Sequence, residues 1–305
     1  MAKGNFIDYI TSDDPNKYPS DGVHTDGYYY KKVTKSTSST TPTEPKPTLP
    51  DAVNGALTFY SEAPFRMCIT NKKKNWDGTL YYSLDNSNWN EWNGEFIEGT
   101  NGIIYMRGVG NTYLNTLSVG SAGAFHFETD TGCFMHCIGI MENLLDYTTT
   151  STLANNCYKS MFSGCSNLVT APELPATTLA TDCYDHMFYN CTNLVTAPSL
   201  PATTLADNCY KSMFSGCSNL TTAPELPATT LADYCYQYMF NDCTNIKLSE
   251  TQTGEYQTAY RIPTSGTGTT GTKSLSNMFQ NTGGTFTGTP TINTTYYLST
   301  SNTVV

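Results

Sequence analysis

The chain has 305 residues, enough for two domains and a substantial core. Its net charge of −10 argues against a nucleic-acid partner, because phosphate binding requires clustered Lys and Arg. Charged residues make up only 14% of the chain, so the surface must be polar mainly through Thr, Ser, Asn and Tyr. No apolar stretch reaches the roughly 18 residues that a membrane span needs, and we expect no membrane insertion.

Residues 1–33 open the chain with a short aromatic segment. It begins MAKGNFIDYITSDD, without the apolar run of a secretory signal, so we expect a protein made in the cytoplasm with no signal peptide. The following run, SDDPNKYPSDGVHTDGYYYKKV, resembles short segments of tail and fibre proteins from phages of gut bacteria. Within it, residues 27–30 form a predicted aromatic strand.

This resemblance implies a virion anchor that docks on other virion proteins. It also implies a homo-oligomer, with a trimer favoured. The alternative interpretation is an ordinary ragged terminus. The predicted anchor side chains are Phe6, Tyr9, Tyr18, Tyr28, Tyr29 and Tyr30.

Residues 34–50 are a predicted linker. Thr, Ser, Lys and Pro dominate this stretch, and four prolines are spaced through it. Such a composition favours a semi-extended chain that separates the anchor from the rest of the protein.

Residues 51–131 form a predicted β-rich domain, for which we expect a small sandwich. Short runs of β-branched and aromatic residues lie between Asn, Asp and Gly turns. The predicted strands are residues 57–60, 66–69, 79–83 and 102–106. Trp76, Trp89 and Trp92 either pack this sandwich or stack on a sugar.

No catalytic arrangement stands out in the sequence. Asp85, Glu91, Glu95 and Glu98 cluster near two of the tryptophans, and paired carboxylates are what glycan cleavage requires. No histidine lies in a recognisable frame with a nucleophile. There is no CxxC and no Cys/His spacing typical of zinc. We therefore expect no enzymatic activity, no cofactor and no metal.

Residues 132–248 form a predicted repeat domain. Residues 157–248 repeat one pattern four times with a period of 26 residues, and residues 132–147 supply a degenerate first coil. Each complete copy opens with a Cys-Tyr pair, and Met-Phe follows four residues later. The four-residue spacing of Leu179, Cys183 and Met187, after an N-capping Thr178, predicts one short amphipathic helix per copy. A glycine such as Gly164 then ends the helix in a left-handed conformation, and a few residues of parallel strand follow.

The string MFSGCSNLTTAPELPATTLADYCYQYMF resembles BspA-type leucine-rich repeats of gut bacterial surface proteins and of their phages. This resemblance implies a leucine-rich-repeat solenoid used for adhesion and recognition. The expected fold class is α+β: a short β-rich N-terminal domain, then a solenoid of 26-residue coils. Residues 249–305 supply an insertion, a last coil at 276–279 and a C-terminal cap.

Eight of the eleven cysteines recur in the repeats as pairs eight residues apart. We interpret them as buried thiols stacked in two columns, with disulfides as the alternative in an oxidising compartment. One asparagine per copy forms a similar column, expected to satisfy loop backbone groups. These are Asn167, Asn193, Asn219 and Asn245.

Residue differences between the copies indicate which positions could form a binding face. The two positions after each Cys-Tyr pair change while the surrounding core residues hardly change, so we expect these positions to face solvent. Surface drift predicts the same variation. The candidate host-facing residues are Lys159, Asp185, His186, Tyr189, Lys211, Gln237 and Tyr238.

The sequence thus favours a non-enzymatic phage virion protein, a tail or head fibre or receptor-binding protein exposed on the particle surface. Its partner would be a glycan or protein of the host surface. A bacterial surface adhesin of the same repeat family and a passive capsid or tail decoration protein are the alternatives.

Overall fold

The structure is a computed structural model that describes residues 22–25, 28–31, 55–72, 74–114, 124–129, 133–148, 152–262 and 273–305. The chain divides into two units, Met1–Thr48 and Leu49–Val305. In the first unit, strands β1 (Gly22–Thr25) and β2 (Tyr28–Lys31) pair antiparallel. The aromatic strand predicted at residues 27–30 is therefore confirmed to within one residue.

The second unit begins with two sheets. Their strands are β3 (Leu57–Tyr60), β4 (Phe65–Ile69), β5 (Thr79–Ser83), β6 (Asn90–Trp92), β7 (Ile97–Gly99), β8 (Ile103–Val109), β9 (Phe125–Thr129), β10 (Met135–Ile138) and β11 (Leu168–Thr170). One sheet has the order β11-β10-β3-β8-β5-β6, and the other has the order β7-β4-β9. All four strands predicted between residues 57 and 106 are present.

Aromatic side chains fill the space between these two sheets. Phe59 of β3 contacts Phe125 of β9 edge to face, with ring centroids 5.1 Å apart. Trp76 and Trp92 stack at 5.3 Å and are only 4% and 2% exposed. Packing is thus the correct interpretation for these two tryptophans, whereas Trp89 is half-buried at the surface.

The predicted α+β class with a leucine-rich-repeat solenoid is wrong. Across the described residues there is no α-helix; one 3₁₀ turn occurs at Met141–Leu144, and the remaining regular structure is strands in several separate sheets. The expected N-cap Thr178 instead forms an isolated parallel bridge with Thr204, its counterpart in the next copy.

A chain of overlapping turns replaces the expected helix. We call residues 156–165, 182–191, 208–217 and 234–243 the turn segments. In the first, a left-handed backbone recurs every four residues, at Asn156, Ser160 and Gly164, with φ of 62°, 56° and 78°. Each of these residues is the third in a four-residue turn, where a type II turn requires positive φ. The predicted left-handed glycine is therefore confirmed, but in a series of turns.

Backbone hydrogen bonds in the turn segments alternate between two directions. The N–H of Met161 donates to the carbonyl of Tyr158 three residues earlier, at 3.2 Å, whereas the N–H of Phe162 donates to Met187 in the next copy, at 2.9 Å. The same alternation recurs along the other turn segments. In an α-helix every N–H after the first turn would bond within its own segment, at a spacing of four residues. The backbone of the turn segments is instead satisfied only when a neighbouring copy is present.

Side chains stack in register along the copies. Tyr158, Tyr184, Tyr210 and Tyr236 form one ladder of nearly parallel buried rings, with centroids 5.7 to 5.8 Å apart. A phenylalanine ladder runs beside it, with centroids 5.3 to 5.7 Å apart. Its members are Phe162, Phe188, Phe214, Phe240 and Phe279.

The remaining strands are β12 (Thr222–Ala223), β13 (Lys247–Ser249), β14 (Tyr256–Arg261), β15 (Gly283–Gly284), β16 (Thr295–Ser299) and β17 (Thr303–Val304). They form a four-stranded sheet of order β14-β16-β13-β15 and a parallel pair, β12-β17. Residues 273–281 continue the stack, since the N–H of Tyr236 donates to Ser274 at 2.9 Å. In the part of the chain described, no helix has the length and hydropathy needed to cross a bilayer.

Candidate functional site

The candidate host-facing residues lie on the turn segments, but they are less exposed than the sequence suggested. Asp185 is 2% exposed and Gln237 is 9% exposed. Ser160 and Ser212, at the neighbouring variable position, are buried as well. The expectation that both positions after each Cys-Tyr pair face solvent is therefore wrong for these four residues, because the overlapping turns direct part of each segment inward.

The remaining candidates are half-buried. They are Lys159, His186, Tyr189, Lys211 and Tyr238. Their side chains keep part of their surface in contact with solvent and part against neighbouring copies.

Three of the candidates form one ionic cluster between the first two turn segments. The Lys159 ammonium lies 2.9 Å from Asp185 Oδ2 and 3.2 Å from Asp182 Oδ1. The other carboxylate oxygen of Asp185 lies 2.6 Å from His186 Nδ1. Burial by itself would lower the pKa of Lys159, but the two carboxylates outweigh burial and raise that pKa. The cluster thus fixes the lysine in its charged form.

An aromatic ring extends this cluster. The Tyr189 ring lies against the His186 imidazole, with ring centroids 5.3 Å apart. Asp182 is the member that the sequence analysis did not select. The sequence feature that could have identified it is its charge, which is opposite to that of Lys159, directly before the Cys-Tyr pair of the next copy.

The other three candidates lie on the third and fourth turn segments, where the Lys211 carbonyl accepts from the N–H of His186 at 2.9 Å. The Lys211 ammonium lies over the Tyr234 ring, 5.8 Å from its centroid. The side-chain amide of Asn277 donates to the Tyr238 hydroxyl at 3.1 Å. The predicted residues therefore lie on neighbouring turn segments, and the side chains of Lys211 and Tyr238 have partners outside the ionic cluster.

The Asp185–His186 pair resembles part of a catalytic triad in composition only. A carboxylate bonded to one imidazole nitrogen orients the ring for proton transfer, but a nucleophile must lie within hydrogen-bond reach of the other nitrogen. Within the described ranges, no serine or cysteine side chain hydrogen-bonds to His186. The pair therefore belongs to the ionic cluster with Lys159.

Two of the four acidic residues near the tryptophans, Asp85 and Glu98, have partners within the protein. Asp85 accepts hydrogen bonds from Ser83, Ser87 and Asn88, and the bonds from Asn88 are the main reason its pKa is lowered. Glu98 lies 4.0 Å from Arg66. Each carboxylate thus has its own protein partners, which favours a structural role for both.

The cysteines of the repeats are buried thiols. All eight are at most 5% exposed, and all eleven cysteines of the chain are free. In the second column the thiol of Cys191 donates to the Phe162 carbonyl at 3.1 Å, and later copies repeat this bond. Burial raises the pKa of these thiols. The part of the chain that the structure describes holds no group of His, Cys, Asp and Glu residues suited to a metal ion.

The asparagine column satisfies backbone groups in part. The Asn193 amide donates to the Ser166 carbonyl at 2.7 Å, and the Asn219 amide donates to the Asn193 side chain at 3.2 Å. The predicted backbone role is thus confirmed for Asn193.

The predicted anchor residues fall in the first unit. Phe6, Tyr9 and Tyr18 lie outside the described residues. Tyr28, Tyr29 and Tyr30 lie on β2, whose backbone pairs with β1. Their role as an anchor stays a prediction.

No family model, curated protein or solved structure matches this chain.

Proposed function

We propose that this chain is a non-enzymatic phage virion protein, a tail or head fibre or receptor-binding protein, that presents its turn segments to a host surface. Residues 1–33 attach it to other virion proteins. The observation that carries the proposal is that stacked aromatic rings hold neighbouring copies in register. Two aromatic ladders with centroid spacings of 5.3 to 5.8 Å hold equivalent side chains in fixed rows.

Fixed rows suit recognition because a ligand meets side chains whose spacing is set before binding. Preorganised groups lose little conformational entropy when a partner binds. Along one row the copies carry Lys159, Asp185, Lys211 and Gln237, so the chemistry changes while the backbone does not. Next to this row, His186, Tyr189 and Tyr238 are half-buried as well and keep part of their surface open to a partner.

The composition supports the same function. A surface built from Thr, Ser, Asn and Tyr, with only 14% charged residues, offers hydrogen bonds to host glycans or proteins. Several copies on one particle convert weak single contacts into strong avidity. The favoured trimer would supply this multivalency at each attachment point.

The attachment part is tested by incorporation into particles. Particles are purified on a density gradient from lysed cells that express the gene, with the chain either intact or lacking residues 1–33. We expect the intact chain to co-sediment with particles at a fixed stoichiometry and the truncated chain to stay in the soluble fraction. Recovery of the intact chain only in the cell-envelope fraction would support a bacterial adhesin and refute the virion assignment.

The recognition part is tested by competition. Purified chain is added to host cells before particles, and the adsorbed fraction is counted. We expect the intact chain to reduce adsorption and a His186→Ala, Tyr189→Ala, Tyr238→Ala triple variant to lose this effect. The matched control replaces three exposed threonines on a different row, Thr177, Thr203 and Thr229. If the intact chain does not bind host cells, or binds them without reducing the adsorption of particles, the recognition proposal is wrong and a passive decoration role is favoured.

A further inference from the structure

An arginine on the outer face of the six-stranded sheet lies between two aromatic rings. The Arg107 guanidinium carbon is 4.0 Å from the centroid of Trp89 and 4.4 Å from the centroid of Tyr147. All three side chains are half-buried, so they remain open to solvent on one side. Cation–π contacts with two rings restrict the orientation of the guanidinium and of its N–H groups.

This guanidinium has no acceptor in the described part of the chain. No hydrogen bond or ion pair reaches Arg107 there, and its Nε is buried without a partner. A charged donor without an acceptor is costly, because hydrogen bonds to charged groups are stronger than those between neutral groups. The two terminal nitrogens of Arg107 are not among the buried atoms, so they are the donors that an external acceptor can reach.

Arg66 provides an internal comparison. It also lies over an aromatic ring, 4.4 Å from the Phe96 centroid. However, its guanidinium bonds to Glu128 at 2.5–2.6 Å and lies 4.0 Å from Glu98. The two arginines share the ring contact and differ in the acceptor, which marks Arg107 as the one available for a ligand.

The surrounding backbone holds the three side chains in place before any ligand binds. Arg107 lies on β8, whose residues alternate between half-exposed and buried, and it is paired across the sheet with Tyr81. The turn before Trp89 is fixed by the hydrogen bonds that Asp85 accepts. The N–H of Tyr147 donates to the Gly108 carbonyl at 3.1 Å.

The negative charge near Arg107 favours a ligand that carries a single negative charge. Glu91 is exposed on β6 opposite Tyr81, and Asp85 and Asp146 lie close in sequence to the two rings. These carboxylates and the net charge of −10 disfavour a dianionic phosphate. A single carboxylate matches the fork of one guanidinium and adds only one negative charge.

We propose that Trp89, Arg107 and Tyr147 bind the carboxylate of an acidic pyranose, a uronic or sialic acid residue. The guanidinium binds the carboxylate, and the apolar face of the sugar ring packs against an aromatic ring. The choice of a sugar rests on the proposed recognition of a host surface, whereas the carboxylate follows from the geometry. The site is separate from the rows on the turn segments.

The test is an NMR titration of the full chain with methyl glucuronoside, with methyl glucoside and acetate as separate probes. The Trp89 indole signal is assigned from a Trp89→Phe variant. We expect glucuronoside to shift this signal saturably, and the other two probes to shift it at least about fivefold less at equal concentration. Arg107→Lys keeps the charge but loses the fork, so it should weaken the response at least about fivefold. Arg66→Lys should leave the response unchanged.

Equal shifts with glucoside would show neutral stacking, and equal shifts with acetate would show a site for any small anion; either result overturns the proposal. An unchanged response in Arg107→Lys would also overturn it. The circular dichroism spectrum of each variant verifies that it is folded. The titration uses isolated protein, so it can fail while particle incorporation and adsorption competition succeed, and the reverse outcome is equally distinguishable.

Discussion

The Tyr184 hydroxyl donates to Glu142 Oε1 at 3.3 Å, while Glu142 Oε2 is buried without a partner. Burial raises the pKa of this carboxyl from 4.5 to about 7, against a smaller lowering from its hydrogen bonds. A half-buried acid thus lies beside the tyrosine ladder and bonds to one ring of the stack that joins the copies.

Glu142 predicts that the protein becomes less stable as pH rises. Since its folded pKa is above its unfolded pKa, folding favours the protonated form. The contribution of protonated Glu142 to the free energy of unfolding is fully present below pH 4.5. It is lost as pH rises through 7, and the total loss is up to about 3 kcal/mol. Glu142→Gln, which cannot ionise, should remove most of this decline. Urea unfolding at pH 4.5, 6 and 8 measures it.

The control for this prediction is Glu91→Gln, which replaces an exposed carboxylate on β6. It should leave the pH dependence of the unfolding free energy as in the parent chain. Parallel pH profiles for the parent and Glu142→Gln would show that another group is responsible.

The phenylalanine ladder predicts a large cost for a single truncation. Phe188 is fully buried between Phe162 and Phe214, at 5.3 and 5.7 Å. Phe188→Ala removes both stacking contacts and leaves a cavity, so it should cost about 3–5 kcal/mol of unfolding free energy. Phe134→Ala is the control, because that ring is 55% exposed and should change stability by less than about 0.5 kcal/mol. Similar costs for both variants would show that the ladder adds nothing beyond surface contacts.

The repeat and its core could be predicted from the sequence, but the local backbone could not. Leu179, Cys183 and Met187 are four residues apart, which suits one face of a helix and also a series of four-residue turns. The polar residues Asp182, His186 and Asn190 have the same spacing and occupy the left-handed positions. That second pattern was the available signal for turns. The backbone hydrogen bonds that stabilise the turns go to the next copy, so the conformational preferences of the local sequence do not predict them.

The site on the sheet was beyond sequence reasoning for a similar reason. Trp89, Arg107 and Tyr147 come from a turn, a strand and the segment after a 3₁₀ turn, and no local pattern links them. Trp89 was selected as a possible sugar contact, but its partners depend on which strands are neighbours. The burial of Asp185 could not be predicted from the sequence, because the turns, unlike a helix, direct this side chain inward.

Two glycines at equivalent positions predict a difference that depends on a neighbour. Gly164 and Gly216 both have left-handed φ, at 78° and 80°. A Cβ on Gly164 would meet nothing within 4 Å, whereas on Gly216 it would collide with the Asn190 side chain. Gly164→Ala should therefore cost about 1–2 kcal/mol for the backbone alone, and Gly216→Ala should cost more. Chemical unfolding of both variants measures this.

A double variant isolates the collision. Adding Asn190→Gly to Gly216→Ala should bring the cost back to that of Gly164→Ala, because the clash partner is gone. The cycle with both single variants gives the interaction energy. A zero interaction energy would mean that Asn190 moves away at no cost.

The buried cysteines predict slow thiol chemistry. Ten of the eleven cysteines are buried, and Cys133 is partly exposed. Because the thiolate is the reactive form, burial that raises the pKa protects a thiol twice, through access and through ionisation. Native protein at pH 8 should therefore show one fast-reacting thiol with Ellman's reagent, and Cys133→Ser should show none.

The same assay decides between thiols and disulfides. Denatured, unreduced protein should release eleven equivalents if all cysteines are free. Nine or fewer would indicate a disulfide and overturn the interpretation of the two columns as thiols. Several fast thiols in the native state would instead show that the stack opens readily.

The ionic cluster predicts that its carboxylates contribute unequally. The Asp185 side chain is 3% exposed and bonds to both Lys159 and His186, whereas the Asp182 side chain is 22% exposed. Asp185→Asn leaves the half-buried lysine without its nearer counter-charge and should cost about 2–3 kcal/mol, somewhat less than a fully buried pair. Asp182→Asn should cost less than about 1 kcal/mol. Combining Asp185→Asn with Lys159→Met should recover part of the loss, since no unpaired charge remains. If the double variant instead loses the sum of the two single costs, the lysine and Asp185 stabilise the stack independently, and the cluster is not a single unit.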